Sequence, residues 1–358
     1  MTSKQIGFMI LGTLVGINFL TIPRTASEWA QQDAWIAVLI GALLPLVVLV
    51  LIERLGRQFP EMDFIQMSQF LFGKIAGSVL VILLCFHMII GVAREIARFA
   101  YVESTFLLPA TPIWAISLLI LLVSLYVAGQ GAQVVARINE LLFYLYLPAF
   151  FLIVYPLMTV ADYTYLLPVG GSGIGSIARS AFDVSLYFGR MEFLMVAYFM
   201  VNRKDEVLKA GAVALVAVAV PYMLFTAVCV MVFGAEDLQD QITPILAMFK
   251  SVAYPILERM DLLFMVAWSV AFRPAFNLLC MSGYSLTRLL NLQKRKHYLM
   301  ILTVSGTAAY LLSSIPRNIV DVIIYSNWQG FTHPIVGLGY PLLYHLAARI
   351  RGGQKQNV

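Results

Sequence analysis

Long apolar runs dominate this sequence, and they leave few folds open to it. A membrane-spanning helix needs about 20 mostly apolar residues. Runs of that kind fall near residues 5–23, 34–52, 75–107, 112–129, 138–158, 180–201, 207–233, 257–288, 298–314 and 333–350, ten in all. They are continuous rather than alternating, so they read as helices and not as barrel strands. The third and eighth are long enough to tilt strongly or to project beyond the bilayer. Hydrophobic residues make up 61% of the 358 and charged residues only 12%, too few to clothe a soluble domain of this length. The expected class is all-α and integral to the membrane, with ten transmembrane helices in a single domain over 1–358.

Basic residues orient the helices. With the N-terminus inside, fifteen of the 24 Lys and Arg residues fall on the cytoplasmic side. Four (Arg24, Arg179, Lys250 and Arg317) fall in outer loops, and five lie within or at the ends of spans. Both termini are therefore expected in the cytoplasm. The first run, Gln5 to Pro23, lacks a basic leader and reads as a retained helix rather than a signal peptide. Asp63–Phe72, Thr243–Tyr254 and Asn318–Trp328 read as amphipathic segments lying on the membrane face.

Several function classes drop out on the same evidence. No basic tail, phosphate loop or aromatic-basic array is present, so nucleic acid is not an expected partner. Cys85, Cys229 and Cys280 all sit inside apolar runs as packing thiols, with neither a disulfide framework nor metal-ligand spacing. No metal or other cofactor is expected. There is no Ser/His/Asp set and no His-Glu-x-x-His, so no hydrolytic site is legible and the chain does not read as an enzyme.

Two spans carry polar and glycine residues at mid-membrane depth. Span one reads Gly12-Thr13-Leu-Val-Gly16-Ile17-Asn18 before Pro23, and span six reads Ser185-Leu-Tyr187-Phe188-Gly189-Arg190-Met-Glu192. Unwinding a helix in lipid frees backbone N–H and C=O groups, which is tolerable only around a polar ligand or cavity. Each of these spans opens a five-helix half, repeat one over 5–158 and repeat two over 180–350. Paired interruptions at matching places point to an inverted-repeat transporter fold with its site at the breaks. The opposing explanation is a small-xxx-small packing face at Gly12 and Gly16.

An ordered set of short motifs runs along the chain: Gly12-Thr-Leu-Val-Gly16-Ile…Pro23-Arg24, Leu108-Pro109-Ala-Thr111-Pro112 and Asn139-Glu140. It continues through Asp162…Leu166-Leu167-Pro168-Val169, Phe188-Gly189-Arg190-Met-Glu192 and Glu258-Arg259-Met-Asp261. In these motifs, over essentially its whole length, the chain resembles a known family, the B subunit of bacterial spore germinant receptors. That family is similar to amino-acid/polyamine/organocation permeases, which implies a five-plus-five inverted repeat of the LeuT type with helices one and six broken. It also implies a spore inner-membrane protein that recognises a small germinant, usually an amino acid, beside an A subunit and a lipoprotein C subunit.

Ionisable groups at membrane depth usually face a cavity or each other. On span three, helical offsets place His87, Gly91, Arg94, Arg98 and Thr105 along one stripe with Glu95 beside it. Glu95 can pair with Arg98 three residues on, or line the ligand path and meet an amine. Arg190 and Glu192 point to different faces; Glu95 is a candidate partner for the first and Arg273 for the second. Tyr187, Phe188, Trp268 and Ser269 are candidates for the pocket wall, although single aromatics are more often packing residues. In sodium-coupled members of this architecture a cation bridges the break of span one and span eight. Arg273, before Pro274, is placed to be a built-in cation there, or a structural counter-ion to a carboxylate. The leading expectation is a germinant sensor binding between spans one, three, six and eight. A proton-coupled amino-acid permease and a purely structural membrane scaffold are the competing ones.

Overall fold

The computed structural model describes residues 1–157, 160–251 and 271–355, and every regular element among them is helical. Helix α1 (Ser3–Leu14) starts on a reciprocal cap. The Thr2 hydroxyl accepts from the Gln5 N–H at 3.2 Å, and Gln5 Oε1 accepts from the Thr2 N–H at 3.0 Å. It stops at Val15 (φ −80°, ψ 94°), and Gly16 is fully extended (φ −132°, ψ −172°). A 3-10 turn over Ile17–Thr21 then feeds α2 (Ile22–Ala30), which carries Pro23 in its first turn, where a missing N–H costs little. Span one is therefore two half-helices. Next come α3 (Ala34–Gly41), α4 (Leu43–Gln58) and α5 (Phe64–Phe72), the last capped by Asp63.

Helix α6 (Lys74–Phe106) runs for 33 residues without interruption. At about 1.5 Å per residue it is roughly 50 Å long, well beyond a bilayer core of about 30 Å. Helices α7 (Ile113–Gly129) and α8 (Ala132–Leu157) turn on each other by 119° at Gln130 and Gly131. Gly131 takes φ +89° there, a conformation that a side chain would oppose.

The second half repeats the theme. Helix α9 (Ile174–Ser185) gives way to a 3-10 turn over Leu186–Phe188, and the chain then breaks at Gly189 and Arg190. It resumes as a turn at Met191–Phe193 and the short α10 (Leu194–Ala197). Helix α11 (Val207–Phe233) matches the seventh predicted span; α12 (Ala235–Asp240) and α13 (Pro244–Ser251) follow. Of the eighth predicted span, only α14 (Arg273–Leu289) lies within the described residues. Helices α15 (Arg295–Ser313) and α16 (Ile319–Lys355) complete the chain.

The separate amphipathic segment expected at 318–328 is instead the start of α16. Asn318 Oδ1 accepts from the Asp321 N–H at 2.9 Å, and Asp321 Oδ2 accepts from the Arg317 N–H at 3.0 Å. That cap launches the helix early, and no second cap divides it before the apolar run, so segment and span form one 37-residue rod.

Charge and hydropathy are arranged inside out. Arg94, Glu95, Arg190, Glu192 and Arg273 are all at most 2% exposed, whereas Ile75 is 84% and Ile174 88% exposed. Such a surface suits lipid and would be an aggregation hazard in water. Ile17–Gln58, Lys74–Phe106 and Lys204–Phe233 are each long and apolar enough to cross a membrane. The protein is a multi-pass membrane protein. Helix α1 sits centrally against α8, α11 and α14, while α6 packs along α14 and α15.

At the α2–α3 junction, the two halves are pinned to each other. Asp33 accepts from the Gly170 N–H at 2.7 Å, the Ser172 N–H at 3.0 Å and the Ser172 hydroxyl at 2.7 Å. Nearby, the Arg179 guanidinium lies 3.5 Å over the Trp29 ring. Asp162 opens the loop before repeat two; the hydroxyl and then the N–H of Thr164 donate to it and hold its carboxyl below the usual range. Replacing Asp33 with Ala removes all three bonds of the clasp. Thermal unfolding of the purified protein in detergent should show a loss of about 2 kcal/mol, together with faster proteolysis of the 168–173 loop.

Candidate functional site

A helix that ends inside a membrane leaves carbonyls without partners and a partial negative charge at its C-terminus. At the end of α1 these groups are met by span six and α11. Arg190 Nη1 donates to the Thr13 carbonyl at 3.2 Å, and the Tyr222 hydroxyl donates to the Leu14 carbonyl at 3.0 Å. Arg190 Nη2 pairs with Glu95 Oε1 of α6, and Arg94 Nη2 stands 3.7 Å from the same oxygen. The other carboxylate oxygen, Glu95 Oε2, is buried without a hydrogen-bond partner among the described residues.

Gly16 lies against this pair. A Cβ there would be 2.8 Å from Arg190 Nη1, 3.0 Å from Glu95 Oε2 and 3.1 Å from Pro274 Cγ. Only glycine lets the extended backbone of the first break come so close to the second. Arg190 itself sits in the left-handed region (φ 78°, ψ 9°), uncommon for a residue with a side chain and sustained here by bonds at the guanidinium end.

Around the pair, the break of span one is held at both ends. Arg98 donates to Asn18 Oδ1 and, at 3.4 Å, to the Thr21 hydroxyl. The expected pairing of Glu95 with Arg98 thus gives way to Glu95 with Arg190, while Arg98 reaches across to the 3-10 turn of span one. The Tyr187 and Thr25 hydroxyls share a hydrogen bond of 2.8 Å. Phe188 is buried 5.4 Å from the Tyr222 ring, which stacks on Phe19 at 4.9 Å. Ile17 is buried beside Asn18, and Gly91 is buried on α6 one turn before Glu95.

On the last turn of α1, facing α8 and α14, lies a second polar cluster. Asn277 donates to the Thr13 hydroxyl at 2.9 Å and accepts from Asn139 Nδ2 at 2.8 Å. Gly12 faces Asn139, whose Oδ1 would stand 1.7 Å from a Cβ. Arg273 Cδ would be 3.6 Å from that same Cβ, so the buried guanidinium-bearing chain runs between span one and span eight. Trp268 and Ser269 lie outside the described residues, as do Glu258, Arg259 and Asp261.

Glu192 is held by two imidazoles. His333 Nδ1 is 3.1 Å and His87 Nε2 3.2 Å from Glu192 Oε1. These imidazoles, and not the expected Arg273, are the partners seen at Glu192 Oε1, and neither His333 nor Asn277 is singled out by the sequence. A signal existed for the first, since a histidine inside an apolar run seldom stands alone. Gly189 makes room for it: a Cβ there would be 2.6 Å from His333 Cβ.

Comparison with known proteins places this geometry in context. The family model described as spore germination protein matches residues 1–322. The chain is 27% identical to spore germination protein YndE of Bacillus subtilis (strain 168), over 91% of this chain and 90% of that protein. It is 24% identical to spore germination protein B2 of the same strain, over 94% of this chain and 92% of that one. With spore germination protein GerLB of Bacillus cereus the identity is again 24%, over 98% and 94%. Among solved structures, a Na+-coupled sialic acid symporter in a substrate-bound outward-open state aligns with a TM-score of 0.68 at 13% identity, covering 94% of this chain and 77% of that one. The nucleobase-cation-symport-1 family transporter MHP1, closed with bromovinylhydantoin bound, gives 0.63 at 12%, covering 98% and 92%. Such low identities speak to the fold alone, and that fold is the expected all-α, LeuT-type one, with spans one and six broken.

The Arg190–Glu95 pair is open to direct test. Glu95→Gln and Arg190→Met should each cost about 3–5 kcal/mol, because each strands a buried charge. The double variant should cost less than the two summed, since neither charge remains. Unfolding midpoints of the three proteins check this; strictly additive losses would count against the pairing.

Proposed function

Because the chain belongs to the spore germination protein family, we propose that it is the germinant-sensing membrane subunit of a spore germinant receptor. Its ligand is a small amino acid or a similar polar molecule, held at mid-membrane where spans one, three, six and eight cross. One observation carries the reading: a cation from the span-six break, Arg190, meets an anion from α6, Glu95, beside Gly16 at the span-one break. A zwitterion carries the same two charges. Its ammonium suits Glu95, whose Oε2 has no hydrogen-bond partner among the described residues, and its carboxylate suits Arg190. An amino acid entering the gap exchanges one internal pair for two external ones and leaves no buried charge bare.

Signalling follows from the same contacts. Arg190 holds the Thr13 carbonyl and Glu95 together, so a ligand that takes its guanidinium loosens spans one, three and six at once. The ligand then favours a second conformer by its differential affinity. Gly12, Thr13, Gly16, Ile17 and Asn18 supply one wall, Gly91 and Glu95 a second, and Tyr187, Phe188 and Gly189 a third, with Trp268 and Ser269 assigned to span eight. Arg273 acts as a built-in cation between spans one and eight. A guanidinium keeps its charge, so this arrangement favours independence from sodium. A-type and lipoprotein C-type subunits read the conformer in the spore inner membrane, with both termini of this chain in the cytoplasm.

The second reading is an autonomous proton-coupled amino-acid permease, and it is favoured by the transporter fold of the solved neighbours, one of them MhsT in complex with L-phenylalanine (TM-score 0.55). Two measurements separate them. In a thermal-shift screen of the purified subunit, at least one amino acid should raise the midpoint, through a stability gain of about 2.7 kcal/mol at a hundred times its Kd. Glu95→Gln should remove the shift, as should the methyl ester of the same amino acid. Absence of any shift over the full set of amino acids would sink both readings. Uptake of the stabilising amino acid into proteoliposomes holding this subunit alone would select the permease, and stabilisation without uptake the sensor.

A further inference from the structure

His87 lies on α6, Glu192 on the turn after the span-six break and His333 on α16, so three separate spans send a metal-ligating side chain to one point. Glu192 Oε1 is 3.2 Å from His87 Nε2 and 3.1 Å from His333 Nδ1, and the two nitrogens are 3.3 Å apart. All three residues are buried. We propose that this triad binds a divalent transition-metal ion, zinc foremost, which fastens spans three, six and ten to one another. The proposal stands independently of the germinant reading.

Lone-pair counting favours an ion over hydrogen bonds alone. Three donor atoms in mutual contact form a triangle, and two neutral imidazoles bring at most two hydrogens into it. Hydrogen bonding therefore serves two edges and leaves the third unmade. One ion accepts a lone pair from each corner at once. Metal distances of about 2.0–2.1 Å put neighbouring ligands of a tetrahedron about 3.3 Å apart, which the observed edges of 3.1–3.3 Å match. Two imidazoles and a carboxylate suit zinc and its first-row neighbours, whereas calcium and magnesium take oxygen.

Two further observations point to a ligand. Glu192 Oε2 is buried with no hydrogen-bond partner among the described residues, and a Cβ on Gly337 would approach it no closer than 4.0 Å. A small cavity of about 20 Å3 lies alongside, lined by Phe188, Gly189, Arg190, His333 and Gly337 among others. That is room for one water, the usual fourth ligand of an open site. Arg94 acts electrostatically on both Glu192 and His333. Its charge works against any dication, so the site selects the ions that bind imidazole most strongly, copper and zinc ahead of manganese and iron.

The test uses the full chain, purified without a histidine tag, stripped with chelator and titrated with zinc chloride. Elemental analysis after dialysis should find one zinc per chain, with a raised unfolding midpoint. Cobalt(II) in place of zinc should give the visible absorption of a tetrahedral site. His87→Ala and His333→Ala should each weaken zinc binding by at least about tenfold. Of the chain's 4 histidines the other two, His297 and His345, serve as controls whose replacement should change nothing. A wild-type chain that retains no zinc and shows no cobalt absorption overturns the proposal whatever the variants do, and leaves a hydrogen-bonded triad. Unchanged zinc binding in a folded His87→Ala/His333→Ala protein, checked by circular dichroism, overturns it equally.

Discussion

An exposed helix end in the middle of a membrane has no water to satisfy it, and the rest of this structure is arranged around that problem. Leu14 and Thr13 present bare carbonyls where α1 stops. Tyr222 meets one and Arg190 the other, and a buried guanidinium demands an anion of its own, which Glu95 provides. One break in one helix thereby fixes the neighbours in span three, span six and α11. Gly16 is the geometric condition for all of it, since any side chain there would occupy the space of the charged pair.

Buried ion pairs add little net stability, because desolvation offsets most of their attraction. Their proposed use here is different. A pair that is nearly neutral in cost can be exchanged for another of the same charges with little penalty, while an apolar plug could not be exchanged for a zwitterion at all. Exposed apolar residues such as Ile75 and Ile174 supply no such selectivity. Chemistry in this molecule is confined to the interior, as the inside-out distribution of charge requires.

How much of this the sequence disclosed depended on the range of the interaction. Local features were plain: apolar runs gave the spans, and Gly12, Gly16 and Gly189 marked both breaks. Helical spacing put His87, Arg94 and Arg98 on one stripe of α6. Among partners that lie far apart in the chain, Glu95 was a candidate for Arg190, and the others were not legible. Whether Arg98 turns to Glu95 on its own helix or to Asn18 on another is decided by how α1 lies against α6, which spacing does not encode. His333 went unnoticed because one histidine in an apolar run has no periodicity to announce it. The start of α16 was missed for a related reason, since the cap at Asn318 and Asp321 outweighs the amphipathic pattern that follows.

Arg190 combines two duties in a single residue. Its backbone bends left-handed, and its guanidinium is tethered to partners on two other spans. A torsion of that kind stores about 1–3 kcal/mol, kept in place by the tether. Side chain and main chain thus behave as a catch and a spring. In the proposed signalling step, releasing the catch lets the chain turn at Gly189 and Arg190 about Glu192, which its two imidazoles still hold.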